Sequence, residues 1–419
     1  MKILWITNIL FPEAKNALQN VSDLKSSGGW MLASAEALLH MGDVELHVAT
    51  TSELVDKLHI HKGKQITYYT IPLGAGNLSY NKDYEKHWKE INKMVKPDIV
   101  HIHGTEFTHG LAYVNSCGNS NVVVSIQGLK SVCSRYYTAG ISTWDLIRTL
   151  TPRDLMKGGV LRERRRFIHT GKYEIELLSK VNHIIGRTTW DKAHSIAINP
   201  RVTYHFCNET LRSEFYNSKK WCYEDCMPHS IFLSQGGTPI KGLHKVIEAL
   251  PLILRAYPDA TVRVAGYDIT AACNFKSRMV ISGFGKYIKK RMAHLGLEGK
   301  VTFVGALNAA EMRNEYLKAN VFVCPSSIEN SPNSLGEAQL LGTPCVSSYV
   351  GGAMDMMKGL EENLYRFDEH EMLADKICRI FEAENDNKNI IETAQERHSS
   401  VKNAQRLFDI YTTIYSKKE

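Results

Sequence analysis

Short β-branched runs alternate with longer stretches whose apolar residues recur at helical spacing along most of this chain. Runs at 3–7, 44–49, 66–71, 99–102, 122–126, 183–186 and 202–206 predict strands, and helical periodicity covers 30–41, 84–95 and 188–198. After Phe206 the rhythm loosens, and 207–228 reads as a polar, irregular connection. Alternation resumes with strands predicted at 231–234, 261–265, 301–304, 321–324 and 344–347, and helices at 243–257, 285–295, 309–318 and 335–341. Such alternation means βαβ units, parallel sheets and helices on both faces. The expected architecture is α/β, with two doubly wound Rossmann-like domains facing across a cleft that forms the natural ligand site. Its boundaries are 1–206, a connection at 207–228, a second domain at 229–391 and a helical tail at 392–419, with the N-terminal domain as the tail's candidate packing partner.

Composition narrows the class without changing this outline. With 419 residues, 43% hydrophobic and 23% charged, the chain is neither disordered nor collagenous. No apolar run is long enough to cross a bilayer, and the opening MKILWITN lacks a secretory pattern, so neither a membrane span nor a signal peptide is expected. Nine scattered cysteines suggest reduced thiols and a cytoplasmic address.

Three loops carry candidate chemistry. Ser26-Ser27-Gly28-Gly29-Trp30 opens the first strong helix, and its glycines let backbone N–H groups approach an anion or a sugar; an ordinary strand-to-helix turn is the bland reading. Gln235-Gly236-Gly237-Thr238-Pro239-Ile240-Lys241-Gly242 follows the first strand of the second half. It offers N–H donors, a helix start and an ammonium, which together suit a diphosphate, although Lys241 is not followed by the Ser or Thr of a Walker loop. The third runs from Cys324-Pro325-Ser326-Ser327 through Glu329 and Ser331-Pro332-Asn333-Ser334-Leu335 to Glu337. A polar loop between a strand's C-terminal end and a helix start, with carboxylates eight residues apart, can hold phosphate by its N–H groups and sugar hydroxyls by its acids. The histidines are dispersed and Cys222-x3-Cys226 has no partner pair, so no zinc site is read.

Lys241-Gly242, the turn at Gly305, Cys324-Pro325-Ser326-Ser327, the Glu329/Glu337 pair and Gly342-x-Pro344 resemble the donor domain of glycosyltransferase family 4, retaining enzymes of the GT-B fold. Ser27-Gly28-Gly29, His101-Ile102-His103-Gly104 and Gly186-Arg187 resemble its N-terminal half more loosely. The resemblance implies a retaining, metal-independent transferase of the bacterial surface-polysaccharide type. Such an enzyme moves a sugar from a nucleotide-sugar donor to a lipid-linked saccharide acceptor in capsule, exopolysaccharide or O-antigen synthesis. In that reading 1–206 is the acceptor side and 229–391 the donor domain. Lys241, Gly236, Gly237 and Ser331, Pro332, Asn333, Ser334 and Leu335 hold the diphosphate, Glu337 the ribose and Glu329 the transferred sugar. Gly28 and Gly29 approach from the opposite domain. No metal or cofactor is implied, since basic side chains and helix termini neutralise the leaving diphosphate.

Two departures bear on mechanism. The family's phosphate-loop arginine is missing here, leaving Arg187 or Arg212 as replacement cations. Where the family often has a histidine after its strand, this chain has Gln127, which can hydrogen-bond a sugar hydroxyl but cannot titrate. Glu329, Lys241 and Gln127 are therefore the expected catalytic group, with His103 and Glu106 as acceptor contacts. The same fold would also suit a nucleotide-sugar epimerase or sugar-phosphate synthase, and a non-catalytic nucleotide-sugar binder is the alternative outside enzymes.

The net charge of +7 is a local feature. Residues 148–172 hold eight basic and two acidic side chains, +6 in all, interleaved with apolar ones. This pattern, centred on Arg162, Arg164, Arg165 and Arg166, suits an anionic membrane surface at the inner face of the plasma membrane. A solvated helix or one packed on its domain is the plainer reading; no nucleic-acid module accompanies the patch, so no nucleic-acid partner is expected.

Overall fold

A computed structural model describes residues 1–19, 29–74, 79–271, 281–382 and 387–416. Two compact units divide the chain: Met1–Val132 with Arg166–Leu211 and Arg397–Glu419, and Cys133–Arg165 with Arg212–Glu396.

The first unit is built on an eight-stranded sheet: β1 (Lys2–Ile6), β2 (Glu45–Ser52), β3 (His59–Lys62), β4 (Ile66–Pro72), β5 (Ile99–His103), β6 (Val122–Ser125), β7 (His183–Gly186) and β8 (Thr203–Phe206). Their order is β3-β4-β2-β1-β5-β6-β7-β8, parallel except for β3, which runs against β4. The central strands are buried on both faces, as their continuous apolar runs require. β3 escapes the periodicity analysis because it is four residues of an edge strand, half of them exposed. Helix Ser400–Ser416 packs Leu407, Ile410, Tyr411 and Ile414 into the core beside Ile3, Trp5 and Leu38. Its Tyr411 hydroxyl accepts from Trp5 Nε1 at 3.0 Å and lies 2.5 Å from His101 Nδ1, whose Nε2 lies 2.5 Å from Ser125 Oγ. An indole can only donate, so Trp5 Nε1 donates to Tyr411, and the Tyr411 hydroxyl links it to the His101–Ser125 pair.

In the second unit β9 (Met227–Leu233), β10 (Thr261–Val264), β11 (Val301–Phe303), β12 (Ala319–Cys324), β13 (Cys345–Ser348) and β14 (Leu364–Tyr365) form a parallel sheet ordered β11-β10-β9-β12-β13-β14. Chain order reverses at β9, between β10 and β12. That reversal is a topological switch point, where loops leave opposite ways and open a crevice at the strands' C-terminal ends.

The unit boundaries differ from the expected domains at 1–206 and 229–391. Residues 212–228 are part of the second unit rather than a free connection: Phe215 and Trp221 are buried, and Trp221 Nε1 donates to Ala319 O at 2.7 Å. Cys133–Arg165 also joins the second unit. Ile141 and Leu146 enter the core of Leu243, Phe284 and Tyr287, while Gly283 N donates to Asp154 Oδ2 at 2.8 Å. With no strand to mark it, this insertion reads in sequence as a continuation of the first half. Among the described residues, no helix is long and apolar enough to cross a membrane.

Replacing Tyr411 by Phe removes the hydroxyl that joins Trp5 to His101. Urea denaturation should report a loss of about 1–3 kcal/mol; an unchanged midpoint and slope would mean the network adds nothing to stability.

Candidate functional site

The switch point of the second unit gathers most of the predicted donor-site residues. β9 ends at Leu233, and the loop after it, bearing Gly236 and Gly237, leads into the single 3-10 turn Pro239–Lys241. Gly242 follows at φ +74°, and a Cβ there would stand 1.7 Å from Pro325 O, so only glycine lets this loop lie against the end of β12. Ser327 N donates to Ile240 O at 2.9 Å across the same junction. The apposition brings Lys241 Nζ to 2.6 Å from Glu329 Oε1, which also accepts from Ser326 Oγ at 2.7 Å. Gly351, at φ +52°, leaves no room for a Cβ beside Glu329 O, and the adjacent Gly352 N donates to that oxygen at 3.0 Å. The loop carrying Glu329 is thus pinned from both sides. Burial by itself would lower the Lys241 pKa, but the charge and hydrogen bond of Glu329 outweigh it and hold it above the usual lysine value.

Helix Asn333–Leu341 begins beyond this loop, and no side chain caps its N-terminus, where Pro332 occupies the cap position. Leu335 N donates to Pro332 O at 3.0 Å, whereas the N–H groups of Asn333 and Ser334 have no partner among the described residues and, with the helix dipole, suit an anion. Ser331, Asn333 and Ser334 are partly exposed, while Pro332 and Leu335 are buried. Glu337, one turn in, is buried and gripped bidentately by Arg212, whose Nε and Nη2 stand 2.7 Å from the two carboxylate oxygens. Burial raises the Glu337 pKa and Arg212 opposes that rise. Arg212 is thus committed to Glu337 rather than free for a phosphate.

Gly236 occupies a crowded position. A Cβ there would meet Val264 Cγ1 at 2.7 Å, whereas Gly237 opens on empty space. The cleft on that side, about 290 Å³, is lined by Gly237, Thr238 and Pro239 together with Arg153 and Lys157 of the inserted helix Pro152–Lys157. Sequence reasoning counted these two cations only in the basic segment, because nothing in their spacing tells that the insertion returns to the β9 loop.

The remaining site residues lie in the first unit. Gly29 opens helix Gly29–Leu39, and Gly28 lies outside the described residues. His103 ends β5, buried against Trp5 at a 4.3 Å centroid distance, and neither ring nitrogen has a hydrogen-bond partner among the described residues. Burial holds its pKa well below the usual value, so the ring is neutral. Glu106 accepts from Asn8 Nδ2 at 2.9 Å, and burial pushes its pKa up to about 7. Arg187 was expected as a free cation, yet it is buried, with Nη2 2.5 Å from Glu209 and 3.1 Å from Ile126 O. The same Glu209 accepts from Gln127 Nε2 at 3.2 Å. Asn8, Glu209 and Glu174, whose carboxylate takes the backbone N–H groups of Lys130 and Ser131, are supporting residues with no motif to announce them.

The fold is GT-B. It aligns over 99% of both chains with the sucrose-phosphate synthase of Thermosynechococcus elongatus (17% identity, TM-score 0.68). With HepE of Anabaena, solved in complex with UDP and glucose, the alignment covers 99% of this chain and 100% of the other (15% identity, TM-score 0.65). Residues 229–397, which contain Lys241, Glu329 and Glu337, match the family model of glycosyl transferases group 1. The chain is 31% identical to an uncharacterized glycosyltransferase of Methanocaldococcus jannaschii over 28% of its own length and 26% of the relative's. It is also 31% identical to a Vi polysaccharide biosynthesis protein of Salmonella typhi over 25% of its length and 18% of that protein's. The matched stretches thus span about a quarter or less of those two relatives.

A carboxyl with a raised pKa binds its proton more tightly folded than unfolded, so ionising it costs stability as pH climbs from the unfolded value through 7. Glu106→Gln should therefore melt higher than the wild type at pH 8, and the gap should narrow as pH falls and close only below about pH 4, where the carboxyl is protonated in both the folded and the unfolded chain. Scanning calorimetry across that range tests this; a gap independent of pH would contradict it.

Proposed function

We propose that this chain is a glycosyltransferase that takes a sugar from a nucleotide-sugar donor and delivers it to a saccharide acceptor carried on a lipid. The observation that carries the reading is the Lys241–Glu329 pair beside the uncapped helix start at Asn333. A cation, an acceptor for sugar hydroxyls and free N–H donors meet there at a switch point. The diphosphate rests on Lys241, Gly236, Gly237 and the Ser331–Leu335 loop, with Arg153 and Lys157 supplying the charge that the missing loop arginine would have given. Glu329 orients the transferred sugar, and Glu337, held by Arg212, meets the ribose through its remaining lone pairs. Gly28 and Gly29 approach the donor, Gln127 hydrogen-bonds a sugar hydroxyl, and His103 and Glu106 touch the acceptor.

Transfer proceeds with retention: the bond from the anomeric carbon to the phosphate oxygen breaks, a bond to the acceptor oxygen forms on the same face, and the acceptor's proton goes to the leaving phosphate. Lys241 and the helix start stabilise the charge that develops on the diphosphate, so the step calls for no metal. Surface-polysaccharide assembly is the pathway class favoured by the similarity to the Salmonella protein.

The lipid-linked acceptor is supported by an amphipathic surface on the insertion. Trp144, Leu155 and Met156 are 60%, 75% and 70% exposed, beside Arg148, Lys157, Arg162 and Arg165. Arg164, also exposed, donates through Nε to Ser134 O, while Arg166 belongs to the first unit. The proposed membrane face therefore joins Arg162 and Arg165 of the arginine run to the exposed apolar side chains of the insertion. It would hold the enzyme peripherally at the cytoplasmic face of the membrane.

Lys241→Ala should lower sugar transfer about 100-fold or more, measured as nucleoside diphosphate release with a donor panel and extracted lipid acceptor, while its melting temperature falls only slightly. Glu337→Ala should lose activity and be clearly less stable, because Arg212 is left without its buried partner. Full activity of Lys241→Ala would overturn the assignment.

A further inference from the structure

The insertion meets helix Gly283–His294 in a second cleft, of about 560 Å³, away from the loops of the donor site. Arg148 lines it from one side and Lys290, Arg291 and His294 from the other, against a single carboxylate, Asp145. Asp145 is already engaged as an acceptor for Ser142 Oγ at 2.7 Å. Among the described residues Arg148 and Lys290, both exposed, have no ion-pair partner, and the buried Arg291 Nε donor has no acceptor. Arg291 Nη2 reaches Glu248 only at 3.5 Å, and Glu248 is shared with Lys245 at 3.2 Å. The walls are fixed to one another: Lys286 Nζ donates to Leu150 O at 3.3 Å and Gly283 N to Asp154 Oδ2 at 2.8 Å. Arg148, Lys290 and Arg291 outnumber the carboxylates at the cleft, Asp145 and the shared Glu248, and a bound anion relieves the remaining repulsion. Nothing in the glycosyl-transfer chemistry uses them.

The surroundings say which anion. Arg148 stacks on the ring of Trp144 at 4.9 Å, and that ring is 60% exposed at the rim of the amphipathic surface. An exposed tryptophan is suited to the level of lipid headgroups, and a guanidinium stacked on it would lie beside their phosphates. We infer that the cleft between helices Thr143–Arg148 and Gly283–His294 binds the phosphate of an anionic lipid headgroup, in addition to the diffuse attraction of the basic surface. A phosphate monoester presents more terminal oxygens and more negative charge to the two walls than a carboxylate does. This inference rests on the reading that the insertion meets a membrane, and the test separates the two.

Full-length protein is titrated with vesicles of phosphatidylcholine carrying either phosphatidic acid or oleate, matched for surface charge, and with inorganic phosphate as competitor. The expected result is binding about tenfold tighter to phosphatidic acid than to oleate. Arg148→Gln and Lys290→Gln, both at exposed positions, should bring that ratio to about one, whereas Leu155→Ser should weaken both titrations equally and keep the ratio. Equal binding of the wild type to both vesicles overturns the headgroup site and leaves the membrane reading standing. Binding to neither overturns both. Full displacement by inorganic phosphate at concentrations that leave oleate binding intact overturns the lipid source and makes the cleft a soluble-phosphate site.

Discussion

The contact on which the site depends is the approach of the Gly242 backbone to the carbonyl of Pro325. No side chain fits between them, since a Cβ at 242 would lie 1.7 Å from that oxygen. Everything that gives the second unit its chemistry follows from this closeness: Ser327 can reach Ile240, and Lys241 can reach Glu329. The Lys241–Glu329 pair is only partly buried, so its own contribution to stability is modest. Its value lies in position. In the proposed function the carboxylate holds the ammonium in place until a diphosphate, carrying more negative charge, would compete for it, and the acid released would then be free to accept from a sugar hydroxyl.

The second acid is handled differently. Glu337 is buried with both oxygens engaged by Arg212, which fixes the first turn of helix Asn333–Leu341 and leaves no free cation there. In the proposed function, neutralising the donor would then fall to Lys241, the helix start and the two cations that the insertion carries to the β9 loop. The first unit shows the opposite economy. Arg187 and Gln127 both reach Glu209 Oε1, and His103 is left neutral at the end of β5, its ring nitrogens without a hydrogen-bond partner among the described residues.

Much of this was legible in the sequence. Alternating periodicity is dictated by parallel sheets buried on both faces, so the central strands declare themselves, and the Glu329/Glu337 loop follows β12 as its spacing implies. The short edge strand β3 did not, because four half-exposed residues carry too little pattern. Nor did the insertion 133–165: its membership in the second unit depends on Ile141 and Leu146 entering a distant core and on Asp154 reaching Gly283, contacts that leave no local trace. For the same reason Arg187 looked available and Arg153 and Lys157 did not. A lone arginine in sequence carries no sign of whether a buried carboxylate awaits it. The cationic cleft beside Trp144 is likewise invisible until two helices far apart in the chain are set side by side.

The central claim is that Lys241, held by Glu329, is the diphosphate's anchor. Titration calorimetry with nucleoside mono- and diphosphates of each base measures this directly. The wild type should bind one diphosphate about tenfold or more tighter than its monophosphate, and Lys241→Met should lose that increment while still binding the monophosphate. A diphosphate increment that survives the substitution, or no nucleotide binding by the folded wild type, would contradict the account.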